Sequence, residues 1–337
     1  MLHAIIMAGG QGTRFWPLSH RACAKQFVKL VDHRSFLELT LDRISHLVPH
    51  SHQWIVSSED QKNWVESQKG LVSTSQILYE PCGKNTAACI AWSAFKVHEK
   101  NPDAMMIVLP ADHLILDSEA FCKALEQAVS VAGHQNKVVT IGIQPTEPHT
   151  GYGYIEALNL ETLESPVVSF HEKPDRETAL DYLSAGNYFW NSGIFIFKAS
   201  KILSLFETHL PELYHALCSR GVEAYPELES ISFDYGIMEK IASETWVVRG
   251  NFAWSDVGSW QALDGILPKD TFENSSNTPV VAIESTGNII YTEKRLVSLV
   301  GVHDLIIAER DDVLLIASKK QDQEIKQLVN QLPEEYL

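Results

Sequence analysis

The sequence predicts an α/β protein in which a mostly parallel sheet with crossover helices is followed by a small β-rich domain. Four short apolar runs have the length of buried strands and lie at residues 2–8, 53–57, 105–109 and 138–143. Longer segments of helical character lie between them, at residues 85–98 and 118–132. Strands that alternate with helices are typical of a parallel sheet with helical crossovers, a Rossmann-like arrangement.

From Gly151 onward the chain is richer in aromatic and β-branched residues. Predicted strands lie at residues 152–158, 166–171 and 193–198, and predicted helices at 200–208 and 211–219.

A polar stretch at residues 269–279 separates off a β-rich tail. Its predicted strands lie at residues 280–284, 288–292, 297–302, 304–308 and 313–317, before a helix at 320–332. We therefore place a boundary near Asn274, which gives domains 1–273 and 274–337.

Charge and cysteine content restrict the partners and the compartment. The 337 residues carry a formal charge of −16, which disfavours nucleic acid and anionic membranes as partners. The five cysteines are scattered and include no Cys-x-x-Cys pair, as in a protein of a reducing compartment. No apolar run approaches the roughly 18 residues of a membrane span. We expect a cytoplasmic protein with no membrane or nucleic-acid partner.

A glycine-rich loop directly after the first predicted strand is the strongest candidate for a nucleotide site. Its residues are Ala8, Gly9, Gly10, Gly12 and Thr13, followed by the cations Arg14 and Lys25. Glycines let the backbone turn tightly and present bare amides to an anion. The loop lacks the third glycine of a dinucleotide fingerprint and the Gly-Lys-Ser/Thr of a P-loop. A glycine cluster after a strand is also commonly an ordinary turn.

Two aspartates could hold a metal ion beside this loop. Asp112 follows a predicted strand, where a helix N-cap is the alternative, and Asp256 lies in a Trp-Ser-Asp-Val-Gly segment, where an Asx turn is the alternative. One or two carboxylates, together with phosphate oxygens and water, are what Mg²⁺ requires. The pair therefore predicts a Mg²⁺ cofactor.

Several motifs in one order resemble the nucleotidyltransferases that join a sugar 1-phosphate to a nucleoside triphosphate, and more narrowly the mannose-1-phosphate guanylyltransferases. Besides the glycine loop and Lys25-Gln-Phe27, they are Glu80-Pro-Cys-Gly-Lys-Asn-Thr-Ala87, Leu109-Pro-Ala-Asp-His113, Gly151-Tyr-Gly-Tyr154, Glu172-Lys-Pro-Asp175, Trp190-Asn-Ser-Gly193, Phe233-Asp-Tyr-Gly236 and Trp254-Ser-Asp-Val-Gly258. The resemblance implies the nucleotidyltransferase fold and transfer of GMP from GTP to α-D-mannose 1-phosphate. It also implies a left-handed β-helix-like tail that can mediate a homodimer.

The resemblance assigns roles to individual residues. It implies Asp112 and Asp256 as metal ligands, and Arg14, Lys25 and Lys173 as catalytic cations. Glu172, Asn191 and the backbone of Gly151 would bind the sugar.

The residue before Pro174 is expected to be extended, because proline restricts its neighbour, and this would help to aim Lys173. Glu80, with Asn85 beside it, is the candidate reader of guanine, whose ring N–H and amino donors a carboxylate complements. Capping of the helix near Asn85 is the alternative for both residues.

Three positions depart from the family pattern. Ala24 and Ala88 replace prolines, and Lys84 stands where arginine is usual, which keeps the charge but loses the bidentate fork. The rival functions are transfer with another base or sugar on the same scaffold, and a catalytically silent homologue that binds a sugar nucleotide and regulates a partner.

Overall fold

The computed structural model describes residues 1–10, 12, 15–20, 23–30, 33–68 and 72–336. The chain forms two compact units. The first unit comprises Met1–Gly9, Thr40–Ala111 and Ile115–Trp254, and the second comprises Gly10–Leu39, Asp112–Leu114 and Ser255–Leu337. Each unit is made of several separate segments of the chain, whereas the predicted boundary near Asn274 divides the chain at one position. That boundary therefore stays a prediction.

The first unit is built on a nine-stranded sheet. Its strands are β1 (Leu2–Met7), β2 (Gln53–Ser58), β3 (Ile77–Glu80), β4 (Met105–Pro110), β6 (Val138–Ile143), β7 (Tyr154–Ala157), β8 (Glu164–His171), β9 (Tyr188–Lys198) and β10 (Thr245–Gly250), in the order β3-β2-β1-β4-β9-β6-β10-β8-β7. Strands β3, β2, β1 and β4 are parallel, as are β6 and β10, while β9 runs antiparallel to its neighbours. Two-residue strands β5 (Leu114–Ile115) and β11 (Trp254–Ser255) lie where the chain passes between units.

Helices lie between these strands along the chain. They are α1 (Phe36–Ile44), α2 (Lys62–Ser67), α3 (Asn85–Lys100), α4 (Ser118–Gln135), α5 (Arg176–Ala185), α6 (Ala199–His209), α7 (Pro211–Arg220) and α8 (Phe233–Gly236). Helix α3 packs on α6 and α7, whereas α4 packs on β6 and β10. In β1, Ala4, Ile5 and Ile6 are all fully buried, as in a strand covered on both faces.

The second unit contains a small β-structure with strands β12 (Ser275–Ser276), β13 (Val280–Ile283), β14 (Ile289–Tyr291), β15 (Val297–Val300), β16 (Leu305–Arg310) and β17 (Val313–Ser318), followed by helix α9 (Ile325–Val329). Ile289 pairs in parallel with Ser275 on one side and with Ile306 on the other, and β13 pairs in parallel with β15. Ile290, Leu299 and Ile307 form the core between these strands. Parallel pairing of successive turns is the expected β-helix-like arrangement.

The predicted fold class is confirmed, with one local correction. The helix expected at residues 320–332 is wrong in extent, because the segment forms a 3₁₀ helix at Lys319–Glu324 and then α9. The break lies at Gln321, whose φ and ψ of −113° and 20° are not helical. In the described part of the chain, no helix is long and apolar enough to cross a membrane.

Candidate active site

A cavity of about 280 Å³ in the second unit brings together residues that are far apart in sequence. It is lined by Gly12, Phe15, Lys25, Asp112, His113, Asp256, Val257, Gly258 and Lys326. The glycine loop and both predicted metal ligands therefore face one space.

Lys25 is the buried cation of this cavity, with only 6% of its surface exposed. Its Nζ donates to Oδ2 of Asp112 at 2.8 Å and to the main-chain oxygen of Asp256 at 2.5 Å. The rings of Phe15 and Phe36 lie 5.9 and 5.7 Å from the ammonium group. Burial alone would raise the pKa of the Asp112 carboxyl, but Lys25 and His113 outweigh it and hold that pKa below its ordinary value. Asp112 is therefore ionised and held in place by Lys25.

Asp256 lies in a tight turn. Its Oδ1 accepts a hydrogen bond from the amide of Gly258 at 3.1 Å, and Val257 between them has a left-handed φ of 45°. The Asx-turn interpretation is thus correct for Asp256, and the same turn presents the residue to the cavity. The helix-cap alternative for Asp112 is wrong, because the residue capping α4 is Asp117.

Gly12 shows why a glycine is needed beside Lys25. Its φ is 64°, and a Cβ at this position would lie 2.5 Å from the Cβ of Lys25. Gly10 differs, since a Cβ there would meet nothing within 4 Å. Thr13 and Arg14, which the sequence also assigns to this site, lie outside the described residues.

The first unit carries the predicted base reader, Glu80, at the carboxyl end of β3. Glu80 is 6% exposed, and its Oε1 accepts a hydrogen bond from the hydroxyl of Tyr225 at 3.0 Å. Burial raises the pKa of Glu80 to about 7, although the Tyr225 hydrogen bond lowers it. A Cβ on Gly9 would lie 3.2 Å from Oε2, so the start of the glycine loop, just after Ala8, runs beside this carboxylate. Glu80 is not a helix cap.

A second cavity, of about 450 Å³, lies in the first unit. Its lining comprises Asn85, Thr86, Glu172, Lys173, Ser230, Ile231, Ser232, Asp234 and Tyr235. Asn85 is therefore grouped with the predicted sugar residues rather than with Glu80, and its Oδ1 accepts from the amide of Thr86 at 2.9 Å.

Glu172 and Lys173 form an ion pair at this second cavity. Oε2 of Glu172 is buried without a hydrogen-bond partner among the described residues, and a Cβ on Gly153 would lie 2.5 Å from it. The extended backbone expected for Lys173 is wrong, because its φ is 45°, in the left-handed region. Such strained conformations of non-glycine residues cluster at functional sites.

Asn191 and Gly151 are already hydrogen-bonded within the protein. The Asn191 amide donates to Oδ1 of Asp234 at 2.9 Å and accepts from the Thr140 hydroxyl at 3.2 Å. The amide of Gly151 donates to Nδ1 of His149 at 3.1 Å.

Asp234 is a site residue that sequence reasoning missed. Burial and the neighbouring Glu172 raise its pKa to about 6. The signal was its place in the Phe233-Asp-Tyr-Gly236 motif, to which no role had been given.

The structure shows the surroundings of the three residues that depart from the family pattern. Lys84 donates from Nζ to the main-chain oxygen of Pro226 at 3.0 Å, and Ala88 is fully buried in α3. Ala24 has φ and ψ of −69° and 156°, within the range of proline.

Family models and known proteins match this chain over most of its length. The nucleotidyl transferase family matches residues 3–271, and the MannoseP isomerase/GMP-like β-helix domain matches residues 278–332. The mannose-1-phosphate guanylyltransferase of Salmonella montevideo is 39% identical over 98% of this chain and 74% of its own length. Mannose-1-phosphate guanylyltransferase 2 of Escherichia coli O157:H7 is 36% identical over 98% of this chain and 73% of its own length. The crystal structure of mannose-1-phosphate geranyltransferase from Thermus thermophilus superposes with a TM-score of 0.90 at 35% identity, covering 98% of both chains.

Proposed function

The chain belongs to the nucleotidyl transferase family, and from this we propose that it transfers GMP from GTP to α-D-mannose 1-phosphate, forming GDP-mannose and pyrophosphate. Relatives at 36–39% identity are named for this reaction. The observation that carries the proposal is the cavity in which the glycine loop, Lys25, Asp112 and Asp256 meet. A binding protein without catalysis has no need of two aspartates that line one cavity beside a buried lysine.

The chemistry requires no general base. A phosphate oxygen of mannose 1-phosphate attacks the α-phosphorus of GTP and forms a new P–O bond. The bond from the α-phosphorus to the bridging oxygen breaks, and pyrophosphate leaves with the electron pair. The second pKa of a phosphate monoester is about 6, so the nucleophile is already an anion at neutral pH.

The main obstacle is repulsion between two polyanions. Two unit charges about 4 Å apart cost roughly 4 kcal/mol at an effective dielectric constant of 20. Lys25 at the glycine loop and Lys173 at the second cavity are described cations placed to offset it, and we propose Arg14 as a further one. Catalysis then depends on positioning and charge compensation.

The family generally uses a divalent metal, and we propose Mg²⁺ held by Asp112 and Asp256. The donor set fits, because both side chains line one cavity and Mg²⁺ binds one or two carboxylates while keeping substrate phosphates and water as further ligands. Among the described residues, no group of three or more His, Cys, Asp and Glu side chains could hold a metal by itself. When bound, the ion would neutralise charge on the triphosphate.

Two groups of residues in the first unit would recognise the substrates: Glu80 with its neighbours, and the residues that line the second cavity. We propose that Glu80 accepts hydrogen bonds from the N–H donors of guanine, beside Gly9 of the glycine loop. Glu172 and Asp234 would accept from sugar hydroxyls, and Lys173 would meet the sugar phosphate. Asn191 acts by orienting Asp234, Gly151 by shaping the loop that carries Gly153, and Asn85 by lining the same cavity.

A homodimer through the C-terminal domain is also part of this proposal. The outward-facing side chains of its strands include exposed apolar ones, among them Val281, Ile283, Val300, Leu314 and Ile316. Exposed apolar patches of this kind mark association surfaces. Light scattering of the purified protein would show a monomer if this part is wrong.

The decisive experiment is a pyrophosphate-release assay across four nucleoside triphosphates and several hexose 1-phosphates. We expect release only when GTP and mannose 1-phosphate are both present with Mg²⁺. If pyrophosphate were released with another nucleoside triphosphate or hexose 1-phosphate, the type of reaction would stand but the assigned substrates would be wrong. If no combination released pyrophosphate, the assignment as an enzyme would be rejected.

A further inference from the structure

Lys326 is a cation of the C-terminal domain that lines the cavity holding Lys25, Asp112 and Asp256. It lies in α9, within the β-helix domain match at residues 278–332 and outside the transferase match at residues 3–271. None of the motifs that carry the resemblance includes it.

The position of Lys326 is fixed by its neighbours in α9. Ile325 and Val329 are 2% and 8% exposed, so two of the five residues of the helix are anchored in the core of the second unit. Just before α9, the buried carboxylate of Asp322 accepts hydrogen bonds from the amides of Trp260 and Gln261 at 3.3 and 3.1 Å. Trp260 follows Asp256 by four residues, so the helix is tied to the segment that carries a metal ligand.

The chain that follows the glycine loop is bound to the same structure. The main-chain oxygen of Trp16 accepts from Nε1 of Trp260 at 3.2 Å, and Nε1 of Trp16 donates to the main-chain oxygen of Tyr336 at 2.9 Å. Arg310 donates to the main-chain oxygen of Leu18. The C-terminal domain therefore supports the loop as well as supplying Lys326.

The charges of the cavity leave a function for this lysine. Lys25 is already paired with Asp112 at 2.8 Å, so part of its charge is compensated within the protein. Lys326 is exposed, and within the described residues its side chain makes no ion pair or hydrogen bond. Its charge is therefore available to a polyphosphate.

We propose that Lys326 binds the β- and γ-phosphates of the nucleoside triphosphate and the pyrophosphate that they become. The C-terminal domain would then complete the phosphate site instead of serving as a scaffold alone. This inference rests on the proposed function, because it assigns the end of GTP that leaves. The KM for mannose 1-phosphate should not depend on Lys326, because Lys173, the proposed ligand of the sugar phosphate, lies at the other cavity.

The test is calorimetric titration of the full chain with inorganic pyrophosphate and Mg²⁺. We expect Lys326→Ala and Lys326→Gln to raise the Kd for pyrophosphate and the KM for GTP by about three- to tenfold, with an unchanged KM for mannose 1-phosphate. Lys326→Arg should retain most of the affinity because it retains the charge. Lys320→Ala is the matched control, since Lys320 is an exposed lysine nearby that does not line the cavity.

Unchanged pyrophosphate affinity in both neutral variants would overturn the proposal, as would an equal effect in Lys320→Ala or a parallel rise in the KM for mannose 1-phosphate. Should Lys326→Ala lower the melting temperature, the comparison of Lys326→Gln with Lys326→Arg decides. Failure of the wild-type chain to form GDP-mannose would reject the proposed function while the pyrophosphate titration still tested Lys326.

Discussion

At the scale of single residues, the site depends on which carboxylates are charged. Asp112 is kept ionised by Lys25, whereas Glu80 and Asp234 have raised pKa values of about 7 and 6 because they are buried. These environments suit the tasks that we propose. Asp112 would be a permanently charged metal ligand, and Glu80 and Asp234 would be acceptors that become fully ionised when a ligand brings donors to them.

The metal assignment predicts that Asp112→Asn and Asp256→Asn each lower Mg²⁺-dependent turnover at least about a hundredfold, because each removes a charged ligand. Asp256→Asn keeps the oxygen that accepts from Gly258, so its melting temperature should match the wild type. Asp112→Asn loses the Lys25 ion pair and should melt slightly lower. Turnover against Mg²⁺ concentration is the measurement, and wild-type turnover in either variant would reject that ligand.

The base assignment predicts that Glu80→Gln lowers the preference for GTP over ATP by about ten- to a hundredfold, the value of a charge-assisted hydrogen bond. The ratio of kcat/KM for the two nucleotides is the measurement.

The pH dependence of nucleotide binding has a definite sign. Since the pKa of Glu80 is about 7, lowering the pH through 7 protonates an acceptor and should raise the KM for GTP more than that for ATP. Identical pH profiles for the two nucleotides would leave Glu80 with only its hydrogen bond to Tyr225.

At the scale of elements, the glycine loop packs closely against the 3₁₀ helix at Lys25–Phe27, where Gly12 lies beside Lys25. We expect Gly12→Ala to destabilise the protein by about 1–3 kcal/mol, because alanine must adopt a left-handed φ. Its Cβ would also displace Lys25. Turnover should fall by about a hundredfold, as expected for a displacement near ~1 Å at a catalytic group. Gly10→Ala is the control, and its melting temperature should remain that of the wild type; equal losses in both variants would contradict this argument.

The 3₁₀ helix itself begins after Ala24, whose backbone already has a proline-like φ of −69°. Ala24→Pro should therefore stabilise the protein by about 0.4–1 kcal/mol, mainly by restricting the unfolded chain. The KM for GTP should fall slightly, because less of the loop remains to be ordered on binding. Scanning calorimetry and steady-state kinetics test both effects. A lower melting temperature or a higher KM would mean that the backbone here does not accept proline.

At the scale of the whole molecule, acid stability depends partly on His3, at the start of β1. His3 is 3% exposed, and its Nδ1 accepts a hydrogen bond from Trp54 at 3.2 Å. Burial, with the nearby His52 and Lys100, lowers its pKa from 6.5 to about 4. Below pH 6.5 the unfolded chain takes up a proton that the folded protein refuses, so this contribution to stability is complete above pH 6.5 and is lost as the pH falls to 4.

We therefore predict that His3→Gln flattens the acid limb of the stability curve. Over the 2.5 pH units from 6.5 to 4, the wild-type free energy of unfolding should fall relative to the variant by about 3 kcal/mol. Glu80 and Asp234 act in the opposite direction, because their raised pKa values favour the folded state at lower pH. The contribution of His3 is therefore the difference in the free energy of unfolding between the wild type and His3→Gln at each pH. His46→Gln, at a histidine outside the core, is the control and should follow the wild type. Parallel curves for wild type and His3→Gln would contradict the prediction.

The sequence by itself determined the fold class, the strands β2, β4 and β6 within about a residue, and the grouping of the glycine loop with Asp112. Runs of apolar residues and turn residues are local signals, and the carboxyl ends of parallel strands must meet at one edge. Only the tertiary structure decided that Lys25 pairs with Asp112, that Tyr225 binds Glu80, and that Asp234 and Lys326 line the cavities. Each of these contacts joins residues far apart along the chain, and no local pattern records them. The left-handed backbone of Lys173 likewise opposes the preference that Pro174 imposes, because tertiary packing outweighs it.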